Sequence, residues 1–131
     1  MRLQARVQFG AGATTSTKIT LGVRFADDRS HIFLEYYTTG NMKLRVRDAA
    51  SGSTTDLVTT PASVTRVPVT AGQWITLGLG ISGSAVSAYL GTDRAAAPVL
   101  TATTSVPVQG GVGVGVGQGT ALFDDILVTA P

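Results

Sequence analysis

Apolar and polar residues alternate with period two along most of this chain. Leu3, Ala5, Val7 and Phe9 alternate with Gln4, Arg6 and Gln8, which predicts a strand with one face in a core and the other in water. A small-residue loop from Gly10 to Thr17 follows, and then Ile19, Leu21, Val23 and Phe25 alternate with Thr20, Gly22 and Arg24. "DDRS" (Asp27 to Ser30) is a turn rich in turn formers. "HIFLEYY" is apolar on both sides, Ile32, Leu34 and Tyr36 on one and Phe33 and Tyr37 on the other, as a central strand requires. "TTGN" turns the chain into Met42, Leu44 and Val46, alternating with Lys43, Arg45 and Arg47. A loop is expected from Ala49 to Thr55, and Pro61 and Pro68 bracket weaker strands near Leu57 and Val64. Ile75, Leu77, Leu79 and Ile81 form another strand, "SGS" turns, and Val86, Ala88 and Leu90 return. A short piece around Val99 and Leu100 lies between Pro98 and Pro107. No helical period outlasts a turn. The pattern predicts an all-β fold, a sandwich or barrel, formed as one domain over residues 1–131.

The stretch "GGVGVGVGQGTALFDDILV" near the end raises the one alternative, a phosphate-cradling glycine loop. The G-x-G-x-x-G spacing fails, because the third position after Gly113 is Gln118 and after Gly115 is Thr120, and no Gly-Lys-Ser/Thr follows. What remains is period two, with Val112, Val114 and Val116 on one side and Gly113, Gly115 and Gly117 on the other. The stretch is expected to be a strand with Val114 in the core and a bare face close to which another backbone or a ligand lies, so that a valine at Gly115 would clash with whatever covers it.

Composition supports the strand reading and narrows function. Of 131 residues only 14% are charged, with one Glu and two Lys among them, so strong helix formers are scarce. A net charge of +2 without a clustered basic run does not point to nucleic acid. There is no cysteine for a disulfide or thiolate site. No 18-residue apolar run exists, so membrane insertion is not expected, and "MRLQARVQFG" alternates too soon for a signal peptide.

"AGQWITLGLGISGSAVSAYLGTD" and the glycine-rich ending, covering Ala71 to Val128, resemble the concanavalin A-like lectin/glucanase superfamily in its laminin G-like branch. Gly22 to Val46 resembles it more loosely. In that branch a Trp opens an aliphatic strand, a Gly-containing turn leads to a Tyr-Leu-Gly-like corner, and a glycine-rich strand precedes Phe-Asp-Asp. The resemblance implies that the all-β fold is a two-sheet antiparallel jelly-roll sandwich. It also implies a choice of uses, among them carbohydrate-binding modules, adhesion domains, spacer domains of enzymes and phage tail or capsid proteins. Members usually carry several tens of residues before the strand that here starts at Leu3, so the opening strand is supplied by this chain in another way, by a partner, or not at all.

Catalytic chemistry finds few residues to work with. Glycoside hydrolysis calls for two carboxylates flanking the bond, and Glu35 is the one glutamate. His31 is the one histidine and no Gly-x-Ser-x-Gly exists. No enzyme activity and no cofactor are expected. Asp124 and Asp125 are read as ending a strand at a bulge, accepting backbone and Arg hydrogen bonds, rather than as calcium ligands, because calcium wants six to eight oxygens. Trp74 is read as a packing residue at the sandwich margin.

The informative constellation is the hairpin from His31 to Arg47. A three-residue loop, Thr39 to Asn41, would set Glu35 opposite Arg45, Tyr37 opposite Lys43 and Phe33 opposite Arg47. With the "DDRS" turn, Arg24 falls beside Phe33 and Gly22 beside Glu35. The outward face is then Arg24, Phe33, Glu35, Tyr37, Lys43, Arg45 and Arg47. Aromatic rings for a sugar's C–H face beside charged forks for hydroxyls or carboxylates are what a glycan site needs; a merely solvated sheet face is the other reading. The expectation is a carbohydrate-binding module whose partner is a glycan or polysaccharide, working outside the cell or on a virion surface. The alternative is a structural or adhesion protein, such as a phage virion component, with protein partners or a homo-oligomer.

Overall fold

The computed structural model describes residues 1–23, 31–48, 52–59, 67–91, 97–104 and 111–130. Ten strands run in order: β1 (Arg2–Phe9), β2 (Lys18–Val23), β3 (His31–Tyr37), β4 (Met42–Asp48), β5 (Ser53–Thr59), β6 (Ile75–Ser82), β7 (Ala85–Leu90), β8 (Leu100–Thr103), β9 (Val112–Gly117) and β10 (Ala121–Thr129). They form two five-stranded antiparallel sheets, ordered β10-β1-β6-β7-β8 and β5-β4-β3-β2-β9. The fold is an all-β two-sheet sandwich, the one of the two architectures left open by the alternation that the resemblance selects, and no helix occurs among the described residues.

Period two decides which side chains meet between the sheets. On β1, Leu3, Ala5, Val7 and Phe9 are buried while the residues between them stay partly exposed. Leu77, Leu79 and Ile81 from β6 and Val86 and Ala88 from β7 complete one inner face. Ile19, Leu21, Val23, Ile32, Leu34, Tyr36, Met42, Leu44 and Val46 form the other. The sheets meet with β1 and β6 against β2, β7 against β4 and β8 against β5. Each fully buried aliphatic contributes roughly 1.5–3 kcal/mol by leaving water.

The β3–β4 hairpin corrects the register expected from sequence while keeping its parity. Phe33 lies opposite Arg45, Glu35 opposite Lys43 and His31 opposite Arg47. The three-residue loop is Thr38 to Gly40, closed by the Tyr37 amide donating to the Asn41 carbonyl. Gly40 is the reason: a three-residue loop ends on a left-handed residue, and Gly40 has φ +84°. Putting glycine last moves the loop one residue towards β3 and each cross-strand partner by two. Between β2 and β3 the same two-residue correction holds, with Gly22 opposite Phe33 and Thr20 opposite Glu35. Arg24 and the "DDRS" turn lie outside the described residues, as does Val64. A second correction concerns Ser53 to Thr55, which pair with β4 as part of β5 rather than lying in a loop. These small polar side chains sit on the outermost strand, where no apolar alternation is demanded of them.

β9 is a strand, but its surroundings differ from expectation. Val116, Val114 and Val112 pair with Ile19, Leu21 and Val23 and so face the interior side. Yet they are 37–39% exposed, because β9 is the outermost strand and its valines are covered from one flank only. The bare glycine side faces outward, and a Cβ built on Gly115 would meet nothing within 4 Å; no close-packed neighbour is there to clash with. On β10, Asp125 and Ile126 stand against Ala5 alone, a bulge with Asp125 at φ +49°. Arg6 lies 3.7 Å from Asp124 and 3.3 Å from Asp125, so the bulge and the arginine contact occur as expected, but the pair does not end a strand: it lies in the middle of β10, which pairs on to Thr129 beyond the bulge.

Candidate functional site

The outer face of the second sheet is assembled by pairing alone. β3, its middle strand, presents His31, Phe33, Glu35 and Tyr37, and β4 adds Lys43, Arg45 and Arg47. The registers bring up Lys18 and Thr20 from β2, Thr54 and Asp56 from β5, and the glycines of β9. An open depression of about 600 Å³ lies here, with Phe33, Glu35, Arg45, Arg47, His31, Thr20, Thr54 and Lys18 around it. A smaller one of about 140 Å³ adjoins it, sharing Thr20, His31 and Phe33 and bounded beyond them by Gly22, Gly113 and Gly115. Gly113 and Gly115 thereby serve the outer surface, and the groove runs on over their bare backbone, while the Lys18 side chain lies over Gly117.

Glu35 organises the charged part. It points outward yet is 1% exposed, and its carboxylate is fully engaged. The Arg45 guanidinium donates to Oε1 at 2.8 Å, the Tyr37 hydroxyl donates to Oε2 at 2.5 Å, and Lys18 Nζ stands 3.5 Å from Oε2. Burial pushes the Glu35 carboxyl up; the Tyr37 and Arg45 hydrogen bonds and the Lys18 charge outweigh it and hold the pKa below its ordinary 4.5. The Tyr37 hydroxyl is pushed up to about 12, by burial first and then by its bond to the carboxylate. Arg45 is raised above its ordinary value, chiefly by the hydrogen bond to Glu35. Its other edge meets Asp56, with Nε 2.6 Å from Oδ1, and Lys43 Nζ lies 3.9 Å from the second Asp56 oxygen.

Phe33 sits at the junction of the two depressions. It is 8% exposed, which corrects the expectation of a free aromatic platform. Its ring lies 4.9 Å from the His31 ring, and the Arg45 guanidinium stands 6.0 Å from its centroid. It forms a floor between charged and bare halves. Of the residues named from sequence, Phe33, Glu35, Arg45 and Arg47 come together around the depression, while Tyr37 and Lys43 share the face towards the Asn41 end without lining it. Arg24 is outside the described residues. Lys18, Thr20, Thr54 and Asp56 escaped the sequence reading, which offered a ligand as one possible neighbour of the β9 glycines. The signal for Asp56 was a single acid in a threonine-rich run; for Lys18 and Thr20 it was their shared parity with Gly22, legible only once the register is known.

Two partly exposed aromatic residues lie elsewhere, Trp74 just before β6 and Tyr89 on β7. Arg6 stacks over Trp74 at 4.7 Å and Arg2 over Tyr89 at 4.0 Å. In each case an arginine covers one ring face that a sugar could otherwise use.

Among solved structures, the chain is similar to the carbohydrate-binding module CBM66 from Bacillus subtilis, with a TM-score of 0.73. The two are 16% identical, and the match covers 95% of this chain and 71% of that one. The likeness is one of fold, that of a β-sandwich carbohydrate-binding module. No family model matches the sequence, and no curated protein matches it.

Proposed function

We propose that this chain is a non-catalytic carbohydrate-recognition module whose ligand lies on the outer face of β5-β4-β3-β2-β9. The observation that carries the reading is the buried, fully engaged Glu35 carboxylate on a face with no second sheet over it. A merely solvated face would leave its charges in water, where exposed pairs contribute at most about 1 kcal/mol. Here a charge has been withdrawn from water, at a cost, into a cluster that fixes Arg45 and Tyr37 beside an open groove. Donors fixed in advance lose little entropy when a hydroxylated ligand arrives. The carbohydrate-binding neighbour supports the same reading by fold. Glu35 does not suit general acid catalysis, because its partners hold it ionised and occupy both oxygens.

The test is a glycan array probed with the wild type and with Gly115→Leu. The leucine enters open space on the groove floor, so the fold survives while the ligand's path is blocked. Binding that the variant loses at an unchanged melting temperature supports the proposal. An array without any bound glycan, or a variant that binds as the wild type does, overturns it. The exposed aliphatics at one margin, Val112, Val114 and Val116 on β9 with Ile126 and Val128 on β10, favour a second reading, assembly with another protein. A solution mass above that of the monomer, reduced by Val114→Lys, would support that role.

A further inference from the structure

We infer that the ligand of this face is an acidic sugar, gripped through a uronate carboxylate or a sulfate ester by the Arg47 guanidinium. The inference rests on the proposed function and names its ligand class. The face carries Lys18, Lys43, Arg45 and Arg47 against the carboxylates of Glu35 and Asp56. Both carboxylates are spoken for: Glu35 by Arg45 and Lys18, Asp56 by Arg45 and Lys43. Arg47 is left over. Among the described residues it has no acid within ion-pair distance, although Asp56 lies on the adjacent strand only two residues beyond Thr54, the residue opposite Arg47.

An arginine on a sheet face ordinarily finds a cross-strand acid or extends into water. Arg47 instead borders the charged half of the groove, on the side away from the Glu35 cluster, with His31 and Thr54 opposite it on the two neighbouring strands. Its planar fork matches a carboxylate or sulfate, which can accept two parallel hydrogen bonds. The rest of the groove suits the rest of a sugar. Thr20 and Thr54 line it, Phe33 floors it, and beyond Phe33 the backbone of Gly113 and Gly115 leaves room for a neighbouring ring. One bound saccharide can therefore put its anionic group on Arg47 and its apolar C–H surface over Phe33 and Gly115.

The test uses an array of matched pairs: tetragalacturonate against its methyl ester for the carboxylate, and N-acetyllactosamine against its 6-O-sulfated form for the sulfate, alongside neutral polysaccharides. The proteins are the wild type, Arg47→Gln and Arg47→Lys. The inference expects the charged member of a pair to bind about ten- to a hundred-fold more tightly, the range of a charge-assisted hydrogen-bond pair. Arg47→Gln is expected to erase that preference at an unchanged melting temperature, Arg47→Lys to restore part of it, and 1 M salt to abolish it. Equal binding of both members, binding confined to neutral glycans, or an undiminished preference in Arg47→Gln overturns the inference and leaves the proposed function standing. An array that binds nothing at all overturns the proposed function, and this inference with it.

Discussion

Glu35→Gln isolates the charge at the centre of the face while keeping the side chain's shape. Glu35 is 1% exposed and holds Arg45 at 2.8 Å, Tyr37 at 2.5 Å and Lys18 at 3.5 Å. Removing one partner of a buried ion pair costs about 3–5 kcal/mol when the other charge is left stranded. Here Arg45 keeps Asp56 and is 24% exposed, and Lys18 is 31% exposed, so water and Asp56 recover part of the loss. A cost of about 2–4 kcal/mol is the consequence, or roughly 6–15 °C in Tm for a domain of this size. The pH dependence separates charge from packing. The folded pKa of Glu35 lies below its ordinary 4.5, so between those two values the unfolded chain binds more protons and stability rises with pH. The stabilisation is complete above about pH 5.5 and is lost as pH falls through the folded pKa. Thermal melts of wild type and Glu35→Gln from pH 2 to pH 8 are therefore expected to differ most above pH 5.5 and to converge towards acid. A constant gap across the whole range would refute the electrostatic account and leave only a packing defect.

Three further perturbations test other parts of the structure. Gly40→Ala is expected to cost at least about 1–3 kcal/mol, because φ is +84° and a Cβ there would stand 2.5 Å from the Val67 carbonyl oxygen; a melt within 1 °C of wild type would remove the reason given for the hairpin register. The Tyr37 phenol is expected to ionise near pH 12 in an ultraviolet titration of the folded protein, and Glu35→Gln should bring it down; ionisation near 10 in the wild type would show that the hydroxyl is not bonded to the carboxylate. Val114→Asp is expected to cost about 1–2 kcal/mol and Leu34→Asp several times more, since Val114 is 38% exposed and Leu34 is fully buried; equal losses would mean that β9 is covered.

How far the sequence spoke for this structure varies by residue. Alternation settled the sides: Leu3 to Phe9, Ile19 to Val23 and Met42 to Val46 point where period two sends them, because a strand offers only two faces. The same parity put Phe33, Glu35, Tyr37, Lys43, Arg45 and Arg47 on one face despite a register wrong by two residues. The Glu35–Arg45 contact even survived, as a diagonal pair rather than a direct one. The register itself depended on which loop position Gly40 takes, a backbone requirement that side-chain pairing does not see. Exposure was least legible. Val114 and Leu21 read alike in sequence and are paired in the sheet, yet one is 38% exposed and the other buried. Only strand order distinguishes an edge from a centre, and no local pattern encodes it. Glu35 fails in the opposite sense: it was expected in water, and its burial comes from the long side chains of Lys18, Arg45 and Tyr37 converging from three strands.

The most direct measurement is an amide and side-chain chemical-shift titration with the tightest-binding glycan from the array. The account predicts that shifts concentrate at Thr20, Phe33, Gly113, Gly115 and the Arg47 guanidinium, while Trp74 and Tyr89 stay still. Shifts centred on Trp74 and Tyr89, or confined to the loops at the ends of the sandwich, would contradict it.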